Sequence, residues 1–334
     1  LGVYISFRIL DFPDLTADGS FPLGGAVCAV CIVNGVTPWL ACGFAIVAGG
    51  LAGMLTAWMH VSLKILQLLA GILVMVALYS VNLRIMGSPN VPLIGEPSVY
   101  SGFIGEQFDN QYWIQPLVIL GFVIAAKFLM DWFFSTQTGL AMRATGANAR
   151  MARAQGVATN KMVILGMALS NGLIALGGAL FVQTQGGADI SIGIGTIVIG
   201  LAAVIIGETL IPSKKFLIIT LSVVIGAVLY RLFIALALGS ETLRSIGFGP
   251  QDLNLVTALL VVLALKPEWV FILGWSNGML ALIFMLALAG MLLGLMCLFQ
   301  LQVRKAFGKL GLLLGSLCAM CLGVLWWLAM YYGS

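Results

Sequence analysis

Apolar runs long enough to cross a bilayer recur along this sequence and leave few folds open to it. Trp39 to Trp58, Ile65 to Leu83, Ile114 to Phe134, Met162 to Val182, Ile197 to Ile211 and Phe216 to Leu238 each carry two charged residues at most. About 20 consecutive apolar residues is the length of a spanning helix. Only 8% of the 334 residues are charged and 61% are hydrophobic, whereas a soluble domain carries roughly a quarter charged residues. The expected fold is all-α: a polytopic transmembrane helical bundle. The 41 glycines suit close helix approach and broken helices in lipid.

A run that precedes these is interrupted. The chain opens at Leu1 already inside an apolar stretch and without a methionine, so the natural N-terminus is expected upstream. Asp11 to Phe21, DFPDLTADGSF, then brings three carboxylates, a proline and a glycine, before Phe21 to Val33 resumes as a short apolar segment. Non-helical backbone at membrane depth is tolerated beside a cavity. The expectation is a broken re-entrant N-terminal hairpin lining a transport path; a plain connecting turn with N-capping aspartates is the other reading.

Gly139 to Lys161 is the longest polar and basic interval, with Arg143, Arg150, Arg153 and Lys161 and no acidic residue. Asn148 is placed to cap a short helix, Ala149 to Gln155, which Gly156 can end in the left-handed conformation. Thr159 is expected to cap the next span. Positive charge collects on the cytoplasmic side of membrane proteins. That puts this stretch and Lys214–Lys215 inside, and the Pro-rich loop Arg84 to Gln111 and the Asp189 loop, Gln183 to Gly195, outside. Positive charge after Trp269 to Leu301 breaks this pattern, which sets the tail apart.

Several chemistries find no support. The net charge of +4 is carried by loops, and no basic patch interleaved with aromatics suggests nucleic acid. Cys28/Cys31 and Cys318/Cys321 have C-x-x-C spacing but lie in apolar runs, and His60 is the single histidine. A metal site would want more ligands than that, so no metal is expected. No G-x-x-x-x-G-K-[ST] occurs, so the chain does not hydrolyse ATP through a P-loop, and no catalytic constellation is apparent. Polar groups in or near spans are functional candidates by default: Asp11, Asp14, Asp18, Asn34, Asn82, Asn171, Gln183 and Glu208. Glu208 has a structural alternative, pairing with Lys214 or Lys215.

The stretch GLAMRATGANARMARAQGV resembles the cytoplasmic coupling segment of permease subunits of ATP-binding-cassette importers. It is similar to the branched-chain amino acid and ribose permease group. LDFPDLTADGSFPLGGAV, LYSVNLRIMGSPNVPL, GLAAVIIGETL and DLNLVTALLVVLAL, in that order, resemble its tryptophan/tyrosine-type and uncharacterised solute permeases. The resemblance covers residues 1–265; residues 266–334 form an additional hydrophobic tail with about two membrane segments.

The resemblance implies a homodimeric permease without a cofactor of its own. ATP would be bound by a separate ATPase subunit, and an extracytoplasmic binding protein would deliver the solute, an amino acid by resemblance. Arg143, Gly146, Asn148, Arg150, Met151, Arg153, Ala154 and Gly156 would form the coupling contact. Arg150 and Arg153 share one helical face, and Met151 and Ala154 the neighbouring one. An ion-coupled secondary transporter with midplane carboxylates is the alternative.

Overall fold

The computed structural model describes residues 1–101, 111–211, 213 and 215–239. Residues 102–110 of the Pro-rich loop, Lys214 and everything after Gly239, including the tail 266–334, lie outside those residues. Helix α1 (Gly2–Tyr4) continues as a π-helical turn (Ile5–Ile9) and then breaks. The chain resumes as α2 (Ala17–Val33), turns at residues 34–37, and runs back as α3 (Pro38–Leu63). Next come α4 (Gln67–Met86), strand β1 (Asn90–Pro92), α5 (Gln111–Ser135), α6 (Gln137–Ala147) and the short α7 (Ala149–Ala154). Then follow α8 (Thr159–Gln185), strand β2 (Gly187–Asp189), a 3-10 turn (Ile190–Gly193), α9 (Thr196–Leu210) and α10 (Phe216–Gly239).

The all-α membrane bundle is therefore the fold. Among the described residues, five segments are long and apolar enough to span: α3, α4, most of α5, α8, and the 3-10 turn with α9. Their outer faces keep large apolar side chains such as Leu51, Val76, Leu129 and Leu217 exposed, which water would not tolerate in this number and lipid does. In lipid, helices associate through close van der Waals packing rather than through a difference in hydrophobicity. Helix α8 shows how. A Cβ added at Gly24 or Gly178 would overlap the carbonyl of Ala175 or of Phe21, and one at Gly53 that of Met167. So α2 and α3 lie backbone to backbone against α8.

The expected broken hairpin is present. The π-helical turn descends towards α6, where a Cβ on Gly146 would overlap the Ile9 carbonyl. The backbone then leaves the helix, with Asp11 at φ +52°, a region non-glycine residues seldom occupy. Phe12 is buried edge-on to His60, ring centroids 5.4 Å apart, and the chain rises again as α2. His60 is inside the last turn of α3, with Nδ1 2.8 Å from the Ile65 carbonyl oxygen.

Two elements differ from the sequence reading. The β1–β2 ribbon pairs Val91 with Ala188 and ties the end of α4 to the end of α8. Gln183, expected in a loop, belongs to α8 and is buried. Its Nε2 donates to the sulfurs of Cys28 (3.2 Å) and Cys42 (3.3 Å), and its Oε1 accepts from the Val99 N–H (2.9 Å). Cys28 thus shares its donor with Cys42 of α3, not with Cys31. After the ribbon, Gly193 packs against Asp18 and Pro22 of α2, and Gly200 against Val3. Helix α9 therefore starts beside the middle of the bundle, not at its surface.

Candidate functional site

The basic stretch folds as two helices. Thr136 caps α6 through its hydroxyl, which accepts from the Gly139 N–H at 3.3 Å. Met142 is fully buried and Gly139 rests on the Phe133–Phe134 backbone. Arg143 places its guanidinium 4.8 Å from the centroid of the Phe216 ring, tying α6 to the start of α10. Helix α7 follows, with Asn148 Oδ1 accepting from the Met151 N–H at 3.0 Å and Gly156 ending it at φ +83°. Its Ala152 turns inward, whereas Met151 is 64% exposed and Arg150 and Ala154 face out. Thr159 does not cap α8: Ala158 is its N-cap. The Thr159 hydroxyl instead accepts from Arg153 Nε (3.3 Å) and Nη2 (3.0 Å). Arg153 thereby braces the exit of α7 against α8.

The polar candidates Asp14, Asp18, Asn34, Asn82 and Asn171 each have at least one partner, although the buried Oδ1 atoms of Asn82 and Asn171 accept from none of the described residues. Asp14 is fully buried and accepts from the Thr16 N–H (2.9 Å) and from Asn171 Nδ2 (2.7 Å). Thr16 and Thr56 hydroxyls lie 2.7 Å apart beside them. This cluster pins the break to α3 and α8, since a buried polar group costs free energy unless bonded. Asp18, on α2, accepts from the backbone N–H groups of Ile197 (2.7 Å) and Gly195 (3.3 Å). It caps α9 from another helix, a carboxylate set against the positive end of the helix dipole. Asn82 donates to the Gly19 carbonyl at 3.3 Å, and Asn34 to the Val30 carbonyl of its own helix at 2.7 Å.

Among the described residues Glu208 pairs with Arg8 and not with Lys215; Lys214 lies outside them. Glu208 accepts from Arg8, Nε lying 2.9 Å from both carboxylate oxygens with Nη2 closing the fork. The π-helical turn carries Arg8 to the level of Glu208, a pairing that spans the chain and that local spacing cannot suggest. Beside it, Arg8, Asp11, Arg143 and Gly146 line a cavity of about 320 Å³.

Two charged features escaped the sequence reading. Lys127 and Asp131 form an ion pair at 2.7 Å one turn apart on α5, and Asp131 also accepts from Thr220 of α10 at 2.8 Å. The second is Arg231. Both sit inside apolar runs, the one signal in the sequence that points to them. Arg231 lines a cavity of about 1260 Å³ between α5, α8, α9 and α10. None of Asp11, Asp14, Asp18, Asn34, Asn82, Asn171 and Glu208 is among its described lining residues; Asp11 lines the smaller cavity. Among the described residues no group of three or more His, Cys, Asp or Glu is placed to hold a metal ion.

A family model described as the permease component of branched-chain amino acid transport systems matches residues 1–265. The chain is 40% identical over 263 residues to the tyrosine transport system permease protein of Clostridioides difficile (strain R20291), a match covering 78% of this chain and 84% of that one. It is 36% identical over 267 residues to an uncharacterised protein of Rickettsia prowazekii (strain Madrid E), covering 80% of this chain and 91% of that one. No solved structure matches it.

Proposed function

This chain belongs to the family of permease components of branched-chain amino acid transport systems, and on that premise we propose that α7 is the lever through which a separate ATPase subunit drives it. It is a multi-pass integral membrane protein, which in bacteria resides in the inner membrane. The observation that carries the proposal is Met151. A capped, six-residue helix outside the spans holds this large apolar side chain 64% exposed, with Arg150 beside it. A groove on a soluble partner would bury Met151 and leave the arginine at its rim, where a charge steers approach more than it adds affinity.

The lever has a mechanical basis. Arg153 links α7 to Thr159 of α8, and Arg143 links α6 to Phe216 of α10. Displacement of α7–α6 by ATP-driven closure of the partner would move α8 and α10 together, a rigid-body rocking of packed helices. No cofactor of its own is needed; ATP belongs to the partner. An external binding protein would deliver the solute at the opposite, ribbon side, to a dimer of this chain. The solute is an amino acid, and an aromatic one on the strength of the tyrosine permease relative.

Met151→Asp tests the contact, since Arg153 also has an internal role and its loss would disturb the fold. Capture of the cognate ATPase subunit by the purified variant is expected to weaken at least tenfold, about 1.4 kcal/mol, with uptake falling in proportion. Helical content and thermal midpoint should match the wild type. Wild-type uptake by Met151→Asp would remove α7 from the coupling contact.

A further inference from the structure

We propose that Arg231 is the counter-charge for the carboxylate of the transported solute, held in the cavity between α5, α8, α9 and α10; this rests on the amino acid permease reading above. The position comes first. Arg231 lies 15 residues beyond Phe216 in α10, about 22 Å along the helix at 1.5 Å per residue. Contacts carry that height across the molecule. Tyr230 packs with Ala202 and Ile206 of α9. Gly200 of α9 meets Val3, and the adjoining Gly2 meets Ser170 and Ile174 of α8. Those two residues stand at the centre of α8 (Thr159–Gln185). Arg231 is therefore near the middle of the membrane.

A guanidinium there is costly, and such residues face a bundle interior or a watery cavity and take an anion as partner. Two other cations follow that rule. Lys127 has Asp131 and Arg8 has Glu208. Arg231 has no hydrogen bond or ion pair among the described residues, and no carboxylate is found among the described residues lining its cavity. The arginine cannot lose its proton to escape the cost, since its pKa is above 12. Among the described residues nothing offsets this exposed guanidinium, and its counter-charge is assigned to what the cavity takes up.

Shape and chemistry then narrow the occupant. A planar fork of N–H donors matches a carboxylate with two parallel bonds. The same cavity carries Phe21 and Phe181, ring centroids 5.7 Å apart, with Phe122 and Tyr100 also in its wall. Its volume exceeds the usual few hundred to 1,000 Å³ of a small-molecule site, so a solute is accommodated together with water. An amphipathic acid, with carboxylate at Arg231 and an apolar or aromatic side chain against the rings, uses both features. Solute selection by carboxylate is thereby repeated inside the membrane, after any selection by a delivering protein.

The test uses the assembled complex, permease with its ATPase subunit and binding protein, in proteoliposomes. Wild-type vesicles are offered L-tyrosine, L-tryptophan and L-leucine, and the one accumulated best becomes the probe. For Arg231→Gln the maximal rate is expected to fall at least tenfold while KM, set by delivery, stays within about twofold. Arg231→Lys should recover a substantial part of that rate. In parallel, wild-type complex is treated with an arginine-selective dicarbonyl. The probe amino acid should protect Arg231 from modification, and its decarboxylated amine should not, a readout that needs no variant to fold. An unchanged maximal rate in Arg231→Gln, or equal modification of Arg231 with and without the probe, overturns the inference and leaves the permease reading intact. If wild-type vesicles accumulate none of the amino acids, the amino acid reading itself falls and this inference with it.

Discussion

Asp18 caps a helix to which it does not belong. Its carboxylate lies on α2, and the N–H groups it accepts from open α9, 177 and 179 residues further along the chain. Loss of a capping side chain costs roughly 0.5–2 kcal/mol, and here the orphaned donors lie inside the bundle rather than in water, so the upper end applies. Asp18→Ala is expected to lower the thermal midpoint measured by helical signal in detergent, and Asp18→Asn, which keeps one acceptor, to lower it less. Equal midpoints for Asp18→Ala and the wild type would mean that water replaces the carboxylate. Sequence alone marks Asp14, Asp18, Asn82 and Asn171 as polar groups in apolar surroundings, but it does not name their partners. Those come from residues such as Gly19 and Gly195 that approach only after folding. Arg153 and Thr159 teach the same lesson at short range. Each has a local role by type, basic rim and N-cap, and the fold uses both in a pair of hydrogen bonds between two helices.

The elements that can be read from sequence are those whose cause is local. Spans need only a length of apolar side chains, and α3, α4, α5, α8, α9 and α10 all fall on the expected runs. Helix α7 needs only Asn148 and Gly156 in place. The ribbon is different, because NVP and GAD are too short to show a period and are stabilised by each other across 97 residues. Helix α6 is hidden for a related reason: its apolar content is low, and its packing relies on glycines, Gly139 and Gly146, that a pattern search reads as loop. Glycine contacts also offer a test of how the bundle is held. At Gly24 a Cβ would meet the Ala175 backbone, which cannot yield cheaply, whereas at Gly43 nothing lies within 4 Å. Gly24→Ala is expected to cost about 1–3 kcal/mol of stability, the usual penalty of overpacking. Gly43→Ala should be neutral or stabilising by up to about 1 kcal/mol, because alanine is the better helix former. Unfolding of the two variants side by side in sodium dodecyl sulfate titrations measures the difference; similar midpoints would deny that α2 and α8 touch through their backbones.

At the scale of the whole molecule the two faces of the bundle differ in charge, and this asymmetry fixes which way it sits. Among the described residues Arg8, Lys64, Arg143, Arg150, Arg153, Lys161 and Lys215 belong to the face that carries α7. The ribbon face has Arg84 with the acidic Glu96 and Asp189. Lysine and arginine near the span ends set orientation, while acidic residues contribute little, so α7 is expected to face the cytoplasm and the ribbon to face outward. Impermeant maleimide labelling in a cysteine-free background checks this directly, since both chosen sites are exposed. Glu96→Cys should react in intact spheroplasts and Ala149→Cys only once the membrane is opened. A second reading comes from the same cells. If the ATPase subunit covers α7, its co-expression should protect Ala149→Cys in opened membranes and leave Glu96→Cys unchanged. Labelling of Ala149→Cys in intact spheroplasts would invert the molecule and place α7 beyond the reach of any ATP-binding partner. Correct sidedness without protection would leave the orientation standing and remove the lever, because a docking helix that stays equally reactive in the presence of its partner is not buried by it.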